Sequence, residues 1–146
     1  MEFIEGSTFE GSRKKIRLAS GGVIFSGSDE LNRKILEKEK ISVLLINQKN
    51  RKDFQKQRNS GFNHVLAKLA KKNEVIIGIN LDEIIEAGHR EKAEILARIR
   101  QNVNLCNKNK LKMKFITLKE NKKDIYCLKA LGLVFRMPTW MTKNLQ

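Results

Sequence analysis

Few side chains in this sequence are of the types that carry out catalysis. It contains two histidines, His64 and His89, whereas a metal-dependent hydrolase needs several His and carboxylate ligands around one opening. Asp82, Glu83 and Glu86 could pair as a general acid and base, but on a short helix after a strand such residues are more often exposed or capping. We therefore expect no catalytic residue, no metal site and no cofactor in this chain.

The two cysteines, Cys106 and Cys127, also lack the surroundings of a nucleophile, because neither has a histidine nearby in sequence that could activate a thiolate. Isolated cysteines in helical patterns are typical of a reducing compartment, and we expect both to be small core residues. No apolar run approaches the roughly 20 residues that cross a bilayer, and Met1–Lys15 lacks the apolar core of a signal peptide. We expect an intracellular protein with no membrane partner.

The strongest functional signal is the charge. Lys and Arg total 30 against 16 Asp and Glu, so the formal net charge is +14 and the isoelectric point is about 10.0. This excess indicates a polyanionic partner, with nucleic acid ahead of a membrane surface. Aromatic residues are 6% of the chain, which leaves little surface for stacking on unpaired bases. We therefore expect recognition of RNA shape and phosphates.

The segment Arg58–Ala70 (RNSGFNHVLAKLA) combines a basic approach, a helix start and an apolar helical pattern. Ser60 is predicted to be the N-cap of a helix that begins near Gly61, where a ligand could approach the backbone without meeting a Cβ. The first amides of such a helix carry a partial positive charge, with Arg58 and Lys68 nearby. One interpretation is a phosphate-binding corner and the other is a capped surface turn.

Hydrophobic periodicity alternates between strand and helix along the chain. The apolar run 41–47 predicts a central strand covered on both faces, and 48–57 is a basic loop in which Phe54 alone is suited to burial. Residues 1–12 predict either a short strand or a poorly ordered start. Strands are predicted at 23–25, 41–47, 75–80 and 112–118, and helices at 30–40, 62–72, 81–86, 90–107 and 124–135. This order predicts a single α/β domain with a mostly parallel sheet.

Four blocks of the sequence resemble, in order, the protein component 3 family of archaeal and eukaryotic ribonuclease P. The blocks are Arg58–Leu81, Glu91–Lys108, Leu111–Leu118 and Asp124–Asn144. The resemblance treats residues 1–146 as one domain of this type, in which 58–144 match best and 1–57 match weakly. It implies a TIM-type α/β barrel, and because the chain is short for the family we expect a shortened or incomplete barrel.

What the resemblance implies for function is a non-catalytic protein subunit of ribonuclease P, an enzyme whose RNA removes the 5′ leader of precursor tRNA. Such a subunit binds and stabilises the catalytic RNA, meets precursor tRNA in the assembled enzyme and pairs with a second small protein subunit. The implied location is cytoplasmic in an archaeal-type cell and nuclear in a eukaryote. The alternatives are a metal-dependent nuclease on a related barrel and a generic basic RNA-binding protein.

Candidate RNA-binding residues come from the family pattern and from the basic and polar edges around it. The long helix at 90–107 offers a second polar edge, on which Arg98 and Asn102 are expected to be neighbours. The family pattern implies an RNA-facing role for Arg58, Ser60, Gly61, His64, Arg90, Arg100 and Asn102. Their neighbours Asn59, Lys68 and Arg98 complete the predicted RNA-binding set.

Overall fold

Five parallel strands form one sheet in the computed structural model, which describes residues 1–119, 125–143 and 145, without the side chains of 125 and 126. Each strand pairs with the next one along the chain, in the order β1-β2-β3-β4-β5. The strands are β1 (Glu2–Glu5), β2 (Val23–Ser26), β3 (Val43–Ile46), β4 (Ile76–Asn80) and β5 (Met113–Ile116). Sequential order with right-handed crossovers places the helices on one face, as in a TIM barrel. Within the described residues β1 pairs with β2 alone and β5 with β4 alone, so the expected incomplete barrel is confirmed.

Helices connect the strands, and the first four helices each begin at a side chain that caps them. Ser28 accepts a hydrogen bond from the amide of Leu31 (3.3 Å) at the start of α2, and Asn80 accepts from the amides of Asp82 and Glu83 at the start of α4. The helices are α1 (Phe9–Leu18), α2 (Asp29–Lys38), α3 (His64–Lys72), α4 (Leu81–Glu86), α5 (His89–Lys108), α6 (Ile125–Val134) and α7 (Thr139–Thr142). No helix within the described ranges is both long and apolar enough to cross a bilayer.

The core lies mainly between the sheet and its helices. Every residue of β3 is buried, as its continuous apolar run predicts. Leu44 and Ile46 face the helices, whereas Val43 and Leu45 join Ile116 in a smaller cluster on the opposite face. The sheet is therefore apolar on both faces, and its polar groups are concentrated where the strands end.

Two local expectations are corrected by the structure. Helix α1 occupies Phe9–Leu18, where no helix was predicted, because its apolar residues are sparse and Gly11 lies inside it. Cys127 is exposed, so only Cys106 is the small core residue expected of both cysteines. The predicted start of the last helix, Asp124, lies outside the described residues.

The N-cap of helix α3 lies three residues later than expected. Its N-cap is Asn63, whose Oδ1 accepts from the amide of Leu66 (3.0 Å). Ser60 is not the cap, because Gly61 follows it in the left-handed region (φ 70°) and interrupts any helix there. Ser60 is buried instead, and its hydroxyl donates to the carbonyl of Phe62 (3.3 Å).

Replacing Asn63 with alanine should destabilise the protein by about 1 kcal/mol, because the first turn of α3 loses its side-chain acceptor. Hydrogen exchange measured by NMR should show lower protection at the amide of Leu66 in Asn63→Ala. The same amide should keep its protection in Ser60→Ala, whose hydroxyl does not contact it. Equal loss of protection in the two variants would contradict the reassigned cap.

Candidate nucleic-acid interface

The long loop between β3 and α3, residues 47–63, is held to the molecule by the buried guanidinium of Arg98. The Arg98 side chain is 3% exposed. Its Nε donates to Asp53 Oδ1 (2.9 Å), its Nη1 to the carbonyl of Gln48 (3.1 Å) and its Nη2 to the carbonyl of Arg51 (2.9 Å). One cation on α5 thus fixes three positions of this β3–α3 loop. A buried guanidinium with all three nitrogens engaged is a stabilising element only while these partners remain in place.

Asp53 continues this network into the later part of the loop. Its Oδ1 also accepts from the amide of Asn59 (2.9 Å), and its Oδ2 lies 3.4 Å from Nη1 of Arg58. The hydrogen bond from Arg98, followed by that from the Asn59 amide, holds the pKa of Asp53 below its usual value. Asp53 is therefore ionised at neutral pH and positions Arg58 at the surface.

A second ion pair closes the loop against α2. Arg51 donates to both carboxylate oxygens of Asp29 (2.9 and 2.7 Å) and through Nε to the carbonyl of Asn47 (2.6 Å). The guanidinium passes directly over Gly61, where an added Cβ would lie 2.7 Å from Arg51 Cζ. Gly61 is thus required both for its left-handed backbone and for the approach of this side chain, which takes the place that the sequence suggested for a ligand.

Two of the three acidic residues of α4, Asp82 and Glu83, hold neighbouring loops, which corrects the sequence expectation, whereas Glu86 is exposed as expected. Glu83 accepts from the amides of Gln48 (2.8 Å) and Lys49 (3.2 Å) at the start of the β3–α3 loop. Burial raises the pKa of Glu83, although these two hydrogen bonds act in the opposite direction. Asp82 is buried and accepts from Thr117 Oγ1 (2.9 Å) and from the amide of Leu118 (2.8 Å).

Polar side chains also link the carboxyl ends of three neighbouring strands. Asn80 Nδ2 donates to Asn47 Oδ1 (2.9 Å), and Asn47 Nδ2 donates to Ser26 Oγ (3.2 Å). Asn80 and Ser26 end β4 and β2, and Asn47 directly follows β3. These hydrogen bonds therefore fix the edge of the sheet from which the loops leave. Within the part of the chain that the structure describes, no three His, Cys, Asp or Glu side chains lie close enough together to hold a metal ion.

The predicted RNA-binding residues fall into exposed and buried groups. Ser60, Arg98 and Asn102 are buried, so Arg98 and Asn102 do not form the exposed polar edge expected on the long helix. Asn102 Nδ2 instead approaches the carbonyl of Ser60 (3.4 Å), and Gln101 Nε2 donates to Ser60 Oγ (3.2 Å). Asn59 and Gly61 are half-buried, and the exposed members are Arg58, His64, Lys68, Arg90 and Arg100.

Two clefts beside the β3–α3 loop and α5 are lined by three of the five exposed residues, Arg58, His64 and Arg100. The first, here the Phe54 cleft, has a volume of about 570 Å³ and includes Arg58, Asn59, Ser60, Gly61 and His64 in its lining. The second, here the cation groove, has a volume of about 550 Å³ and is lined by Lys56, Gln57, Arg58, Ala97, Arg100, Gln101 and Asn104. Arg58 borders both. Lys68 and Arg90 line neither cleft.

The sequence predicts a solvated loop at 48–57 that serves either solubility or phosphate contacts, but it singles out neither Lys56 nor Phe54 as a surface feature. Lys56 lies in a run of charged and amide residues in which no single lysine stands out. Phe54 was expected to be buried, yet it is 57% exposed. No local pattern in residues 48–57 indicates that this ring faces solvent.

Removing the Arg98 side chain should destabilise the fold by about 3 kcal/mol, since it leaves Asp53 and two loop carbonyls without their donor. Arg100→Ala is the matched control: this exposed arginine on the same helix should change the free energy of unfolding by less than about 0.5 kcal/mol. Urea unfolding of both variants provides the measurement. Equal stability of the two variants would rule out the structural role of Arg98.

The stabilisation by the Arg98–Asp53 pair should disappear in acid. Because the folded-state pKa of Asp53 is lowered from 3.8, the stabilisation is fully present above that pH and is lost as the pH falls through the lower folded value. Unfolding measured between pH 2 and 6 should show Asp53→Asn less stable than the parent near neutrality, with the difference shrinking below pH 3.8. A difference that stays constant with pH would show that the charge of Asp53 is unimportant.

Comparison with known proteins identifies relatives of the chain. No protein-family model matches it. Over 118 residues it is 31% identical to ribonuclease P protein component 3 of Methanococcus vannielii, covering 80% of this chain and 47% of that protein. The component 3 protein of Methanocaldococcus jannaschii is 32% identical over 118 residues, which cover 79% of this chain and 46% of the relative.

Comparison of folds points to the same group of proteins. A chain in a cryo-EM structure of archaeal ribonuclease P with mature tRNA superposes with a TM-score of 0.78 at 25% sequence identity, covering 97% of this chain and 62% of that chain. Sequence and fold therefore agree that the chain is homologous to the ribonuclease P protein component 3 family, and it spans about half the length of the curated relatives it matches.

Proposed function

We propose that this chain acts as a non-catalytic protein subunit of ribonuclease P that binds and stabilises the enzyme's RNA. Precursor tRNA would be its second RNA partner in the assembled enzyme, and a second small protein subunit its protein partner. The proposal is supported by homology to component 3 proteins and by the likeness to a chain of archaeal ribonuclease P with mature tRNA. A cytoplasmic location in an archaeal-type cell, or a nuclear one in a eukaryote, goes with this role.

The observation that carries the RNA-binding proposal is the cation groove. Three exposed cations, Lys56, Arg58 and Arg100, border it, and no carboxylate is among the described residues that line it. Its other polar side chains are amides, which can donate to phosphate oxygens without adding negative charge. Such a surface suits the RNA backbone, where each phosphate neutralised adds roughly 0.7 (single strand) to 0.9 (duplex) to the slope of log affinity against log salt.

The groove is also preorganised. Arg58 is positioned by Asp53, which is itself fixed by Arg98 from the helix that carries Arg100. Two walls of the groove, the β3–α3 loop and α5, are therefore joined by the ion pair between the buried Arg98 and the partly exposed Asp53. Less conformational freedom has to be lost when a phosphate binds, which favours affinity.

Replacing Lys56, Arg58 and Arg100 together with alanine should weaken binding to ribonuclease P RNA, because three phosphate contacts are lost. The slope of log affinity against log salt should become shallower by up to roughly 2.1 to 2.7, from roughly 0.7 to 0.9 for each of the three contacts. Arg98 is excluded from this variant because its loss would unfold the loop. Binding is measured by filter retention or fluorescence anisotropy over a series of salt concentrations.

The matched control removes the same charge elsewhere. Lys14 and Lys15 lie exposed on α1 and Lys40 follows α2 at the amino-terminal edge of the sheet. Alanine at these three positions should leave the salt slope almost unchanged. Equal losses in both triple variants would favour a generic basic RNA-binding protein instead. Metal-dependent cleavage of precursor tRNA by the protein without RNA, abolished by His64→Ala, would favour the nuclease alternative.

A further inference from the structure

We infer that the Phe54 cleft receives an unpaired nucleobase, stacked on Phe54, from an RNA strand whose phosphates lie in the cation groove. This inference rests on the proposed RNA-binding function and adds to it a second mode of contact. It also adds a base contact to the recognition of RNA shape and phosphates that the low aromatic content led us to expect.

The first supporting observation is the position of Phe54. The ring is 57% exposed, although an aromatic side chain is stabilised by burial. The preceding residue, Asp53, is held by Arg98 and by the amide of Asn59, so the backbone at this point is fixed. An exposed aromatic ring on a fixed backbone is a typical stacking platform, because little side-chain freedom is lost on binding.

The second observation is the shape and chemistry of the cleft. Its volume of about 570 Å³ leaves room for a planar base. Phe54 and the exposed Val65 supply apolar surface, while His64 and Asn59 in the lining bring groups that can donate to or accept from a base edge. Apolar faces with a few polar groups at the rim favour a flat heterocycle.

The third observation is continuity with the cation groove. Gln57, Arg58 and Gln101 line both clefts and therefore form the ridge between them. A strand whose phosphates contact Lys56, Arg58 and Arg100 would carry its bases to this ridge. Bases inside a duplex are already stacked and paired, so only an unpaired base can turn over the ridge and reach Phe54.

The charges of the chain and of the cleft favour a nucleotide over a protein segment as the occupant. The chain has a net charge of +14, and Arg58 and Arg33 stand at the cleft beside the carboxylates of Asp29 and Glu30. Asp29 is paired with Arg51, Arg33 with Glu37 and Arg58 with Asp53 at 3.4 Å. Arg58 lines the cation groove as well as the cleft, so it links the cleft to the phosphate-binding surface. A nucleotide fits the two neighbouring clefts, because its flat base suits the Phe54 cleft and its anionic phosphate suits the cation groove.

The test uses the whole chain with three fluorescently labelled RNA probes: a single-stranded oligouridylate, a duplex of the same length and an abasic strand of the same length. Phe54→Ala should weaken binding to oligouridylate about tenfold, within the range expected for one stacked base. Affinity for the duplex and the abasic strand should not change. Phe54→Trp should restore binding to oligouridylate, because the larger ring still stacks.

Ile85→Ala is the matched control, because Ile85 on α4 is 56% exposed and lies outside the lining of both clefts. It should bind all three probes like the parent. Equal affinity of Phe54→Ala and the parent for oligouridylate would overturn the inference. So would a uniform loss for all three probes, which would indicate altered groove geometry.

Failure of the inference can be distinguished from failure of the proposed function. If the Lys56, Arg58 and Arg100 triple variant still loses affinity while Phe54→Ala does not, RNA binding stands and the nucleobase site is wrong. If Phe54→Ala then fails only to bind the second protein subunit, the cleft is a protein-docking site instead. If the triple variant binds every probe like the parent, the proposed function itself fails.

Discussion

The candidate interface depends on one buried cation. The guanidinium of Arg98 leaves water entirely and is compensated by one carboxylate and two loop carbonyls. Desolvating a guanidinium is unfavourable unless all its donors are engaged, so the β3–α3 loop and the helix form a single arrangement. Arg58 and Arg100 remain exposed in the cation groove, and their relative position depends on the buried Arg98.

The carboxyl edge of the sheet shows how the rest of the chain supports this arrangement. In TIM barrels this edge carries the active-site residues. Here Glu83 binds the first amides of the β3–α3 loop, Asp82 binds the segment after β5, and the amides of Asn47 and Asn80 link adjacent strands. These polar groups are used to fix loops, which gives the fold a rigid rim beside its basic surface.

Much of the fold follows from local pattern. The continuous apolar run at β3 and the capped start of α2 are strong signals that tertiary contacts reinforce. Helix α1 was not recognised because only two of its residues, Phe9 and Ile16, contact the core from one face, and packing decides its structure. The cap of α3 was misplaced because two capping residues, Ser60 and Asn63, compete, and only the left-handed backbone at Gly61 separates them.

The site was harder to predict because a residue's type does not give its burial. Arg98 and Arg100 are the same residue on the same helix, yet one is structural and the other is exposed. The distinguishing signal is position: Arg98 is three residues after the buried Ile95 and four before the buried Asn102, and thus lies on the inner face of α5. The acceptors that make this burial possible lie more than 40 residues earlier, which no local pattern reveals.

The strictly sequential pairing of the strands has a consequence for how the chain acquires its structure. Paired residues are 19 apart between β2 and β3 (Ile24 with Val43) and 33 apart between β3 and β4 (Val43 with Ile76). Closing a loop costs only about 0.6 kcal/mol more for each doubling of its length. Lengthening the β3–α3 connection therefore adds little to the entropy lost in pairing these strands. The larger cost is that of ordering the loop itself, and Arg98 and Asp53 offset it.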